Sequence, residues 1–390
     1  MEKLVYGGDG LARLDGRVVF APFVLPGERV RAATDREKPG LVQARTLEVL
    51  EPAAERVEPR CAVFGRCGGC HYQHAPYEYQ LAAKRAILVE ELRRLGKLEP
   101  PGEIAVVSAE PWGYRNRVQL HVENGKIGYW EPRSRHLCPT AVCPIASPKT
   151  EQAIGALAGM LHNPRWPRFV LSIEVFTDEE RVQLNVHDTG KPVARRFFDW
   201  CGENIPGMVV GALDYRGEFR VSSNSFFQVN RHLIGRLTEV ALEGAEGDSA
   251  LDLYAGVGLF TLPLARRFRQ VTAVESGAGA SRDLRFNLDR AGMGHVRSDA
   301  ATVEAFLEKL KRTPDFVLVD PPRAGMGKPV VDRLKELRPR LLTIVACDPA
   351  TLARDLAGLV AGGYKMQKIT LVDLFPQTFH METVVRLALG

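Results

Sequence analysis

The chain has 390 residues, of which 45% are hydrophobic and 25% are charged. This balance is typical of a soluble globular protein with two or three domains, and no apolar run approaches the length of a membrane span. The formal net charge of +5 is compatible with a polyanionic partner but does not require one.

The N-terminal sequence MEKLVYGGDG lacks the apolar core of a signal peptide. We therefore expect a cytoplasmic protein without a membrane association. Seven cysteines in a reducing compartment are more often metal ligands or catalytic groups than disulfide partners. No feature of the sequence indicates an obligate protein partner.

Residues 1–50 contain short alternating segments separated by turn signals such as Gly-Gly-Asp-Gly and Lys-Pro-Gly. This pattern predicts a small closed β-barrel of about five strands. A purely structural module explains it equally well, because the sequence signals nucleic-acid binding only weakly here.

The middle of the chain begins with a cysteine-bearing loop over residues 51–75. Residues 77–98 then predict one long amphipathic helix, with Leu81, Leu88, Leu92 and Leu95 on one face. Alternating segments between about 100 and 230 predict antiparallel hairpins, with a helix near 148–161.

From about residue 246, apolar runs such as ALDLYAG, QVTAVES, DFVLVDPP and LLTIVAC alternate with helical stretches. This rhythm predicts βα units and a parallel, doubly wound sheet. The C-terminal tail adds two further predicted strands.

A Gly-x-Gly turn follows the first of these strands. The strand ends near Asp252, the turn holds Gly256 and Gly258, and Glu275 ends the next strand. Glycines allow a close approach to a ligand, and an acidic residue at the second strand end suits a ribose diol. The alternative is an ordinary tight turn followed by a surface glutamate. The strand–turn–helix context favours a cofactor site like that of Rossmann-like methyltransferases, which bind S-adenosylmethionine.

Two more aspartates follow predicted strands. Asp299 follows a short third strand and is a candidate adenine contact. Asp320 ends the fourth strand in the sequence Asp-Pro-Pro-Arg, where the two prolines direct the chain away from the sheet. Each aspartate could instead be a helix N-cap.

Three cysteines lie close together in a C-x5-C-x2-C run, and two more follow in HLCPTAVCPIA. Such packing predicts a four-thiolate metal site, with an iron–sulfur cluster favoured over zinc because only one C-x2-C knuckle is present. The five cysteines are Cys61, Cys67, Cys70, Cys138 and Cys143. Cys201 has no cysteine near it in the sequence and is interpreted as structural.

Cys347 ends the apolar strand LLTIVA, immediately before a predicted helix. A lone cysteine beside a strand is usually a small core residue. Ligands of open α/β sheets bind at the carboxyl ends of strands, however, and a helix N-terminus favours a thiolate. Because Cys347 follows the predicted cofactor turn and Asp320 in the same sheet, we interpret it as a nucleophile.

Several motifs together resemble the RNA 5-methyluridine methyltransferases: CDPATLARDL, VDPPRAG, DLYAGVGLFTLPLA, SNSFFQVN and FPQTFHMETV. The C-x5-C-x2-C run and GGDGLARLDGRVVFAPFVLPGE resemble the branch that carries an iron–sulfur cluster and an N-terminal TRAM domain. The resemblance implies an α/β chain with an OB-like TRAM β-barrel over residues 1–53. A central α+β iron–sulfur domain over 54–230 and a Rossmann-like methyltransferase domain over 231–390 would follow.

The resemblance also implies roles for individual residues. Cys347 matches the nucleophile and Glu382 the base of the closing step. Cys143 is preferred to Cys138 as a cluster ligand because CPI matches the family motif. The implied contacts of S-adenosylmethionine are Gln228, Tyr254, Glu275, Asp299 and Asp320. The implied ligands of one [4Fe-4S] cluster are Cys61, Cys67, Cys70 and Cys143.

The implied reaction is methyl transfer from S-adenosylmethionine to carbon 5 of a uridine in 23S ribosomal RNA, through a cysteine adduct at carbon 6. Transfer RNA is the alternative substrate. A non-catalytic iron–sulfur RNA-binding or redox protein is the alternative of another class. A DNA cytosine methyltransferase is disfavoured because its Pro-Cys turn is absent. Four arginines precede or flank the second cysteine group and are candidate phosphate contacts: Arg115, Arg117, Arg133 and Arg135.

Overall fold

The computed structural model describes residues 1–390, and its N-terminal part is a five-stranded sheet. An Asp15-Gly16 turn with positive φ at both residues joins the second and third strands, as two-residue hairpins require. The strand order is β1-β2-β3-β5-β4, and no pairing joins β1 to β4. The five predicted strands are present, and Met1, before β1, exchanges backbone hydrogen bonds with Gly27 and Glu28, before β4. A closed barrel stays a prediction. The strands are β1 (Lys3–Leu4), β2 (Asp9–Leu14), β3 (Arg17–Pro22), β4 (Arg29–Lys38) and β5 (Leu41–Glu51).

The helix predicted over residues 77–98 is shorter than expected. Helix α1 (Tyr77–Glu91) continues into a π-helical turn, Leu92–Gly96, which ends at Lys97 with a φ of 56°. Leu88 and Leu92 are fully buried, whereas Leu95 is 42% exposed. The prediction that Leu95 shares the buried face was wrong because the π-helical turn changes the helical register before this residue is reached.

The central region forms a six-stranded sheet in the order β12-β11-β10-β7-β8-β9, and a two-stranded β13-β14 hairpin follows. The predicted helix near 148–161 is confirmed as α2, which Ser147 caps by accepting a hydrogen bond from the Thr150 amide. Helix α3 had not been predicted. The elements are β6 (Ala105–Val107), β7 (Arg117–Glu123), β8 (Lys126–Trp130), β9 (Leu137–Pro139), α2 (Pro148–Met160), β10 (Val170–Thr177), β11 (Val182–Thr189), α3 (Arg195–Asn204), β12 (Met208–Val209), β13 (Leu213–Tyr215) and β14 (Phe219–Val221).

The C-terminal region contains an eight-stranded sheet in the order β17-β16-β15-β18-β19-β21-β20-β6. The first five of these strands are parallel, which confirms the predicted βα rhythm. Strand β21 inserts antiparallel between β19 and β20, and β6 joins the edge from the central region. The elements are α4 (Ile234–Ala241), β15 (Ser249–Leu253), α5 (Thr261–Ala265), β16 (Gln270–Val274), α6 (Ala278–Arg290), β17 (Val296–Asp299), α7 (Val303–Lys309), β18 (Phe316–Val319), α8 (Gly327–Leu337), β19 (Leu341–Ala346), α9 (Pro349–Ala361), β20 (Tyr364–Val372) and β21 (Glu382–Leu389).

The eight-stranded sheet is apolar on both faces. In β18, Val317 and Val319 belong to a cluster that includes residues of α1, α8 and α9, whereas Phe316 and Leu318 belong to a second cluster. This alternation follows from the two-residue period of a strand, and burial on both faces explains the continuous apolar runs.

The second apolar cluster also contains Leu213, Val221 and Phe227, so residues before position 231 pack against the sheet. This packing crosses the predicted domain boundary at 230/231. The division into three domains, at 53/54 and 230/231, stays a prediction. No helix in the structure combines the length and apolar character needed to cross a membrane.

Leu356 of α9 tests the packing of the first cluster. It is fully buried, so we expect Leu356→Ala to lower the free energy of unfolding by about 2–5 kcal/mol through lost contacts and a new cavity. Leu14→Ala is the matched control, because Leu14 is 59% exposed. Urea unfolding followed by circular dichroism measures both, and equal effects of the two substitutions would contradict this packing.

Candidate active site

A cavity of about 850 Å³ lies at the carboxyl end of the parallel strands. Strands β15, β16, β18 and β19 end at it, and β21 begins at it, because Glu382 is the first residue of that strand. This is the edge at which open α/β sheets bind ligands. Six of the seven residues predicted to bind the cofactor or to act in catalysis line it: Gln228, Tyr254, Glu275, Asp320, Cys347 and Glu382.

The Gly-x-Gly turn is fixed to the second strand end by Glu275. One carboxylate oxygen of Glu275 accepts a hydrogen bond from the Gly256 amide at 2.9 Å, and the other accepts one from the Gly277 amide at 2.5 Å. A Cβ added at Gly256 would meet no atom within 4 Å, so its backbone faces open space. Tyr254 and Gly256 both have positive φ. The turn is thus shaped to expose backbone to a ligand, and each Glu275 oxygen keeps a lone pair for a ribose hydroxyl.

Asp299 is the predicted cofactor contact that does not line the cavity. It ends β17 next to β16, and its backbone carbonyl accepts a hydrogen bond from the Glu275 amide. Its carboxylate forms an ion pair with Arg297 at 2.8 Å. The structure therefore places Asp299 beside the site and not in its wall.

A loop over residues 222–230 forms another wall. Asp283 of α6, which is buried, accepts hydrogen bonds from the Ser222 amide, the Ser222 hydroxyl and the Ser225 hydroxyl. In the loop that these contacts hold, two neighbouring aromatic side chains differ in exposure. Phe227 is 2% exposed in the core, whereas Phe226 lines the cavity and is 65% exposed.

Cys347 lies between β19 and α9, as expected, and its thiol is half-buried. Burial first, and then the neighbouring Glu382 carboxylate, raises the pKa of Cys347 to about 12. Arg323 acts in the opposite direction. The Asp348 side chain accepts hydrogen bonds from the first free amides of α9, those of Ala350 and Thr351. Burial therefore outweighs the effect expected from the helix N-terminus, and that the helix favours a thiolate stays a prediction.

Three carboxyl groups lie close together here: Asp320 and Glu382 line the cavity, and Asp252 is buried behind it in β15. Burial raises the pKa of Asp252 to about 7, and the hydrogen bond from the Thr261 hydroxyl only partly offsets it. Burial and then the charge of Asp252 raise the pKa of Asp320 to about 7. Burial and then Asp320 hold the pKa of Glu382 well above its usual range. An ionised Glu382 is therefore a strong proton acceptor, as a catalytic base must be.

Residues with no assigned role in the sequence analysis also line the cavity. Arg323, Phe375 and His380 contribute to its wall, together with Asn224 and Phe226. Arg323 could have been found from its position directly after the Asp-Pro-Pro strand end. His380 precedes Glu382 by two residues in a motif that was recognised, but no local signal showed that it faces the site.

The four arginines predicted as phosphate contacts do not lie at one common site. Arg117 is 9% exposed, pairs with Glu174 at 2.8 Å and donates to the Ser225 carbonyl. Its guanidinium is therefore committed to the fold, and the prediction was wrong for it. Arg115 lines the cavity. Arg133 and Arg135 line a separate open groove beside the cysteine loop.

The cysteine group is brought together from two parts of the chain. Burial is the largest cause that raises the pKa of Cys67 and of Cys70 to about 12. Neighbouring thiols raise both further: Cys138, Cys143 and Cys61 for Cys67, and Cys143, Cys67 and Cys61 for Cys70. As the side chains stand, no group of three or more cysteine, histidine, aspartate or glutamate residues could hold a metal ion. Cys201 packs in the apolar cluster of the central region, as predicted.

Comparisons with known proteins agree with this geometry. The chain is 32% identical to the 23S rRNA (uracil(1939)-C(5))-methyltransferase RlmD of Thiobacillus denitrificans, over 98% of this chain and 97% of the relative. The chain belongs to the family of RNA (uracil-C5) methyltransferases. The family model described as tRNA (Uracil-5-)-methyltransferase matches residues 209–389. An uncharacterized RNA methyltransferase of Aquifex aeolicus is 31% identical, over 99% of this chain and 97% of the relative.

A solved structure extends the similarity to the fold. The tRNA (uracil-54, C5)-methyltransferase of Pyrococcus abyssi, in complex with S-adenosyl-L-homocysteine, superposes with a TM-score of 0.78 at 25% identity. The match covers 99% of both chains. This chain is thus an S-adenosylmethionine-dependent RNA (uracil-C5) methyltransferase with a methyltransferase fold.

The buried Asp252 makes stability depend on pH in a specific direction. Its pKa is raised in the folded state, so its contribution to stability is complete below about pH 4 and is lost as the pH rises toward 7. We expect Asp252→Asn to raise the free energy of unfolding by about 1–3 kcal/mol at pH 8, and by progressively less toward pH 5.

Asp315→Asn is the control of opposite sign for this titration. Hydrogen bonds from Ser249 lower the pKa of Asp315, so its removal should destabilise the enzyme at pH 8. Urea unfolding at pH 5, 6.5 and 8 measures both variants. A destabilising effect of Asp252→Asn that does not change with pH would contradict the account.

Proposed function

We propose that this enzyme methylates carbon 5 of a uridine through a covalent adduct on Cys347. The observation that carries the proposal is that Cys347, Glu382 and the Gly256 turn line one cavity at the carboxyl edge of the sheet. A nucleophile, a base and a nucleotide-binding turn in one place are the groups that this reaction requires.

In the proposed reaction the Cys347 thiolate adds to carbon 6 of uracil, and the electron pair of the double bond forms an enolate. Carbon 5 then attacks the methyl group of S-adenosylmethionine, whose sulfur leaves as S-adenosylhomocysteine. Addition of the thiolate is needed because carbon 5 of free uracil is a weak nucleophile. Burial raises the pKa of the Cys347 thiol to about 12, and the positive charge of a methyl donor bound beside it would lower that pKa.

The adduct is resolved when a base removes the proton from carbon 5 and the thiolate is expelled from carbon 6. We assign the role of this base to Glu382. Its side chain is 4% exposed and lies near enough to Cys347 to raise the pKa of the thiol. Gln228, Tyr254, Glu275 and Asp320 are the proposed contacts of the methyl donor. Asp299 remains a proposed contact only through its position beside Glu275.

A paired base cannot reach a cavity at a strand end, so the uridine is proposed to be unpaired or flipped out. Phe226, exposed at the cavity, offers an aromatic face on which a flipped base can stack. Arg115 lines the same cavity and is a proposed phosphate contact.

We favour 23S ribosomal RNA as the substrate. Support comes from the 32% identity to relatives named as 23S rRNA methyltransferases over nearly the whole chain. The sequences of the cysteine run and of the N-terminal segment also resemble that branch. Transfer RNA is the second candidate, because the solved structure that covers 99% of the chain is named a tRNA methyltransferase.

The cysteine loop is proposed to hold one [4Fe-4S] cluster on Cys61, Cys67, Cys70 and Cys143, with zinc as the rival. The support is the donor chemistry: thiols from two parts of the chain lie close enough to affect one another's pKa, and thiolates are the ligands of both iron–sulfur clusters and zinc. The proposed role is in folding or RNA binding. The TRAM assignment of residues 1–53 and the three-domain division are proposals of the same kind.

Labelled S-adenosylmethionine tests the reaction, with undermethylated 23S ribosomal RNA and transfer RNA as separate substrates. We expect label in ribosomal 5-methyluridine, and a loss of at least about a thousandfold in Cys347→Ala because the adduct cannot form. Cys201→Ala, which alters a buried core cysteine, should retain activity. Label in transfer RNA alone would overturn the substrate assignment, and no label in either RNA would favour a binding or redox protein.

Glu382→Gln tests the base separately. Because addition and methyl transfer precede proton removal, we expect this variant to accumulate methylated RNA bound covalently to the protein. Denaturing gel electrophoresis with methyl-labelled donor detects the adduct. Rapid product release by the variant, at the wild-type rate, would exclude Glu382 as the base.

Metal analysis of anaerobically purified protein tests the cluster. We expect about four iron atoms per chain, a brown colour, and loss of the iron in Cys67→Ser but not in Cys201→Ser. Zinc in place of iron would identify the rival metal. Protein from which the metal is removed with the fold intact should lose RNA affinity, and full retention of affinity would contradict the proposed role.

A further inference from the structure

The segment that leads into the catalytic strand β21 is a buried loop. The pocket segment, residues 373–381, joins β20 to β21 without regular secondary structure and ends directly before Glu382. It contributes Phe375 and His380 to the cavity wall. Gln377 has a φ of 66°, a conformation that only its surroundings can maintain in a residue of this kind.

Buried loops need hydrogen-bond partners for their backbone, and this one obtains them from distant parts of the chain. Every carbonyl from residue 374 to 377 accepts from outside the segment. The donors are Asn230 to the Leu374 carbonyl at 3.1 Å, Lys84 to Phe375 at 2.9 Å, Tyr114 to Pro376 at 2.9 Å, and the His71 and Tyr72 amides to Gln377 at 2.8 and 3.0 Å.

Three side chains on one face of α1 form hydrogen bonds or an ion pair with the pocket segment. We call Tyr77, Gln80 and Lys84 the α1 clasp; their spacing of three and four residues aligns them along the helix. Lys84 is fully buried and pairs with the fully buried Asp373 at 2.6 Å, and the Tyr77 hydroxyl donates to the other Asp373 oxygen at 2.8 Å.

Gln80 completes the clasp at the strained residue. Its carbonyl oxygen accepts from the Gln377 amide at 3.0 Å, and its amide donates to the Gln377 side chain at 2.9 Å. The same amide also donates to the Tyr72 and Ala75 carbonyls. Gln80 thereby joins the chain that leaves the cysteine loop to the chain that enters β21.

We infer that the α1 clasp is a positioning device for proton removal, which sets the place of Glu382 and His380 by holding the pocket segment. A directional network of buried hydrogen bonds fixes the orientation of a loop, whereas apolar packing alone leaves it free to slide. The clasp contacts neither Cys347 nor the Gly256 turn, so its loss should spare donor binding and adduct formation. The inference rests on the proposed role of Glu382.

The test uses Gln80→Leu, which removes all side-chain hydrogen bonds of Gln80 at similar volume, and Tyr77→Phe, which removes the hydrogen bond to Asp373. Lys84→Met is a third variant, and the first two decide the outcome if it does not fold. Arg56→Met is the matched control, because it breaks an ion pair with the buried Glu28, and neither residue lines the cavity. All are assayed as full-length enzyme below their melting temperatures.

Single-turnover methylation separates adduct formation from product release. We expect Gln80→Leu to slow release at least about tenfold and to accumulate methylated adduct, with donor affinity within about twofold of wild type, because small misplacement of a base is costly. Tyr77→Phe should show a smaller effect of the same kind. Arg56→Met should lower the melting temperature and leave the release rate unchanged.

Release rates in Gln80→Leu and Tyr77→Phe that match the Arg56→Met control would overturn the inference. So would an equal loss of donor binding, adduct formation and release, which indicates a general loss of structure. If wild-type enzyme forms no adduct, the covalent route itself fails. The clasp is then judged by kcat at saturating substrates, and an unchanged kcat in Gln80→Leu would overturn it.

Discussion

Burial of acidic groups around one cavity is the constraint on which the site depends. Asp252, Asp320, Glu382 and Cys347 lie where parallel strands end, and burial is the main cause of the raised pKa of each. Such burial lowers stability at neutral pH, since each group prefers to ionise in water. It also gives the ionised carboxylates a high affinity for protons. The pKa of the Cys347 thiol is lowered by a nearby positive charge, as Arg323 shows. The apolar clusters on both faces of the sheet supply the stability that this arrangement costs.

The walls of the cavity come from segments that are distant in sequence, and buried polar contacts hold each one. Asp283 fixes the loop that presents Phe226, and Glu275 fixes the Gly256 turn. Lys84 and Asp373, which are 289 residues apart, hold the segment before Glu382. The parallel sheet thus sets where the reacting groups are, whereas these contacts set their orientation.

Local patterns predicted the sheet and most of the site. The apolar runs ending at Asp252, Glu275, Asp320 and Cys347 fixed the strand ends, because parallel strands place their carboxyl ends at one edge. The long-range partners were not predictable in this way. Nothing near Arg117 in the sequence indicates that Glu174 and Ser225 occupy its guanidinium. Likewise, nothing near Cys347 in the sequence indicates that burial and Glu382 raise the pKa of its thiol, because burial is a property of the whole fold.

The central claim is that the sulfur of Cys347 forms the covalent bond to carbon 6 of uracil. RNA containing 5-fluorouridine traps such an adduct, because the fluorine at carbon 5 cannot be removed as a proton. Proteolysis and mass spectrometry of the trapped complex then locate the modified residue. The account predicts a nucleotide attached to the peptide that contains Cys347, in the presence of S-adenosylmethionine. Attachment to any other cysteine, or a methylated product formed without an adduct, would contradict it.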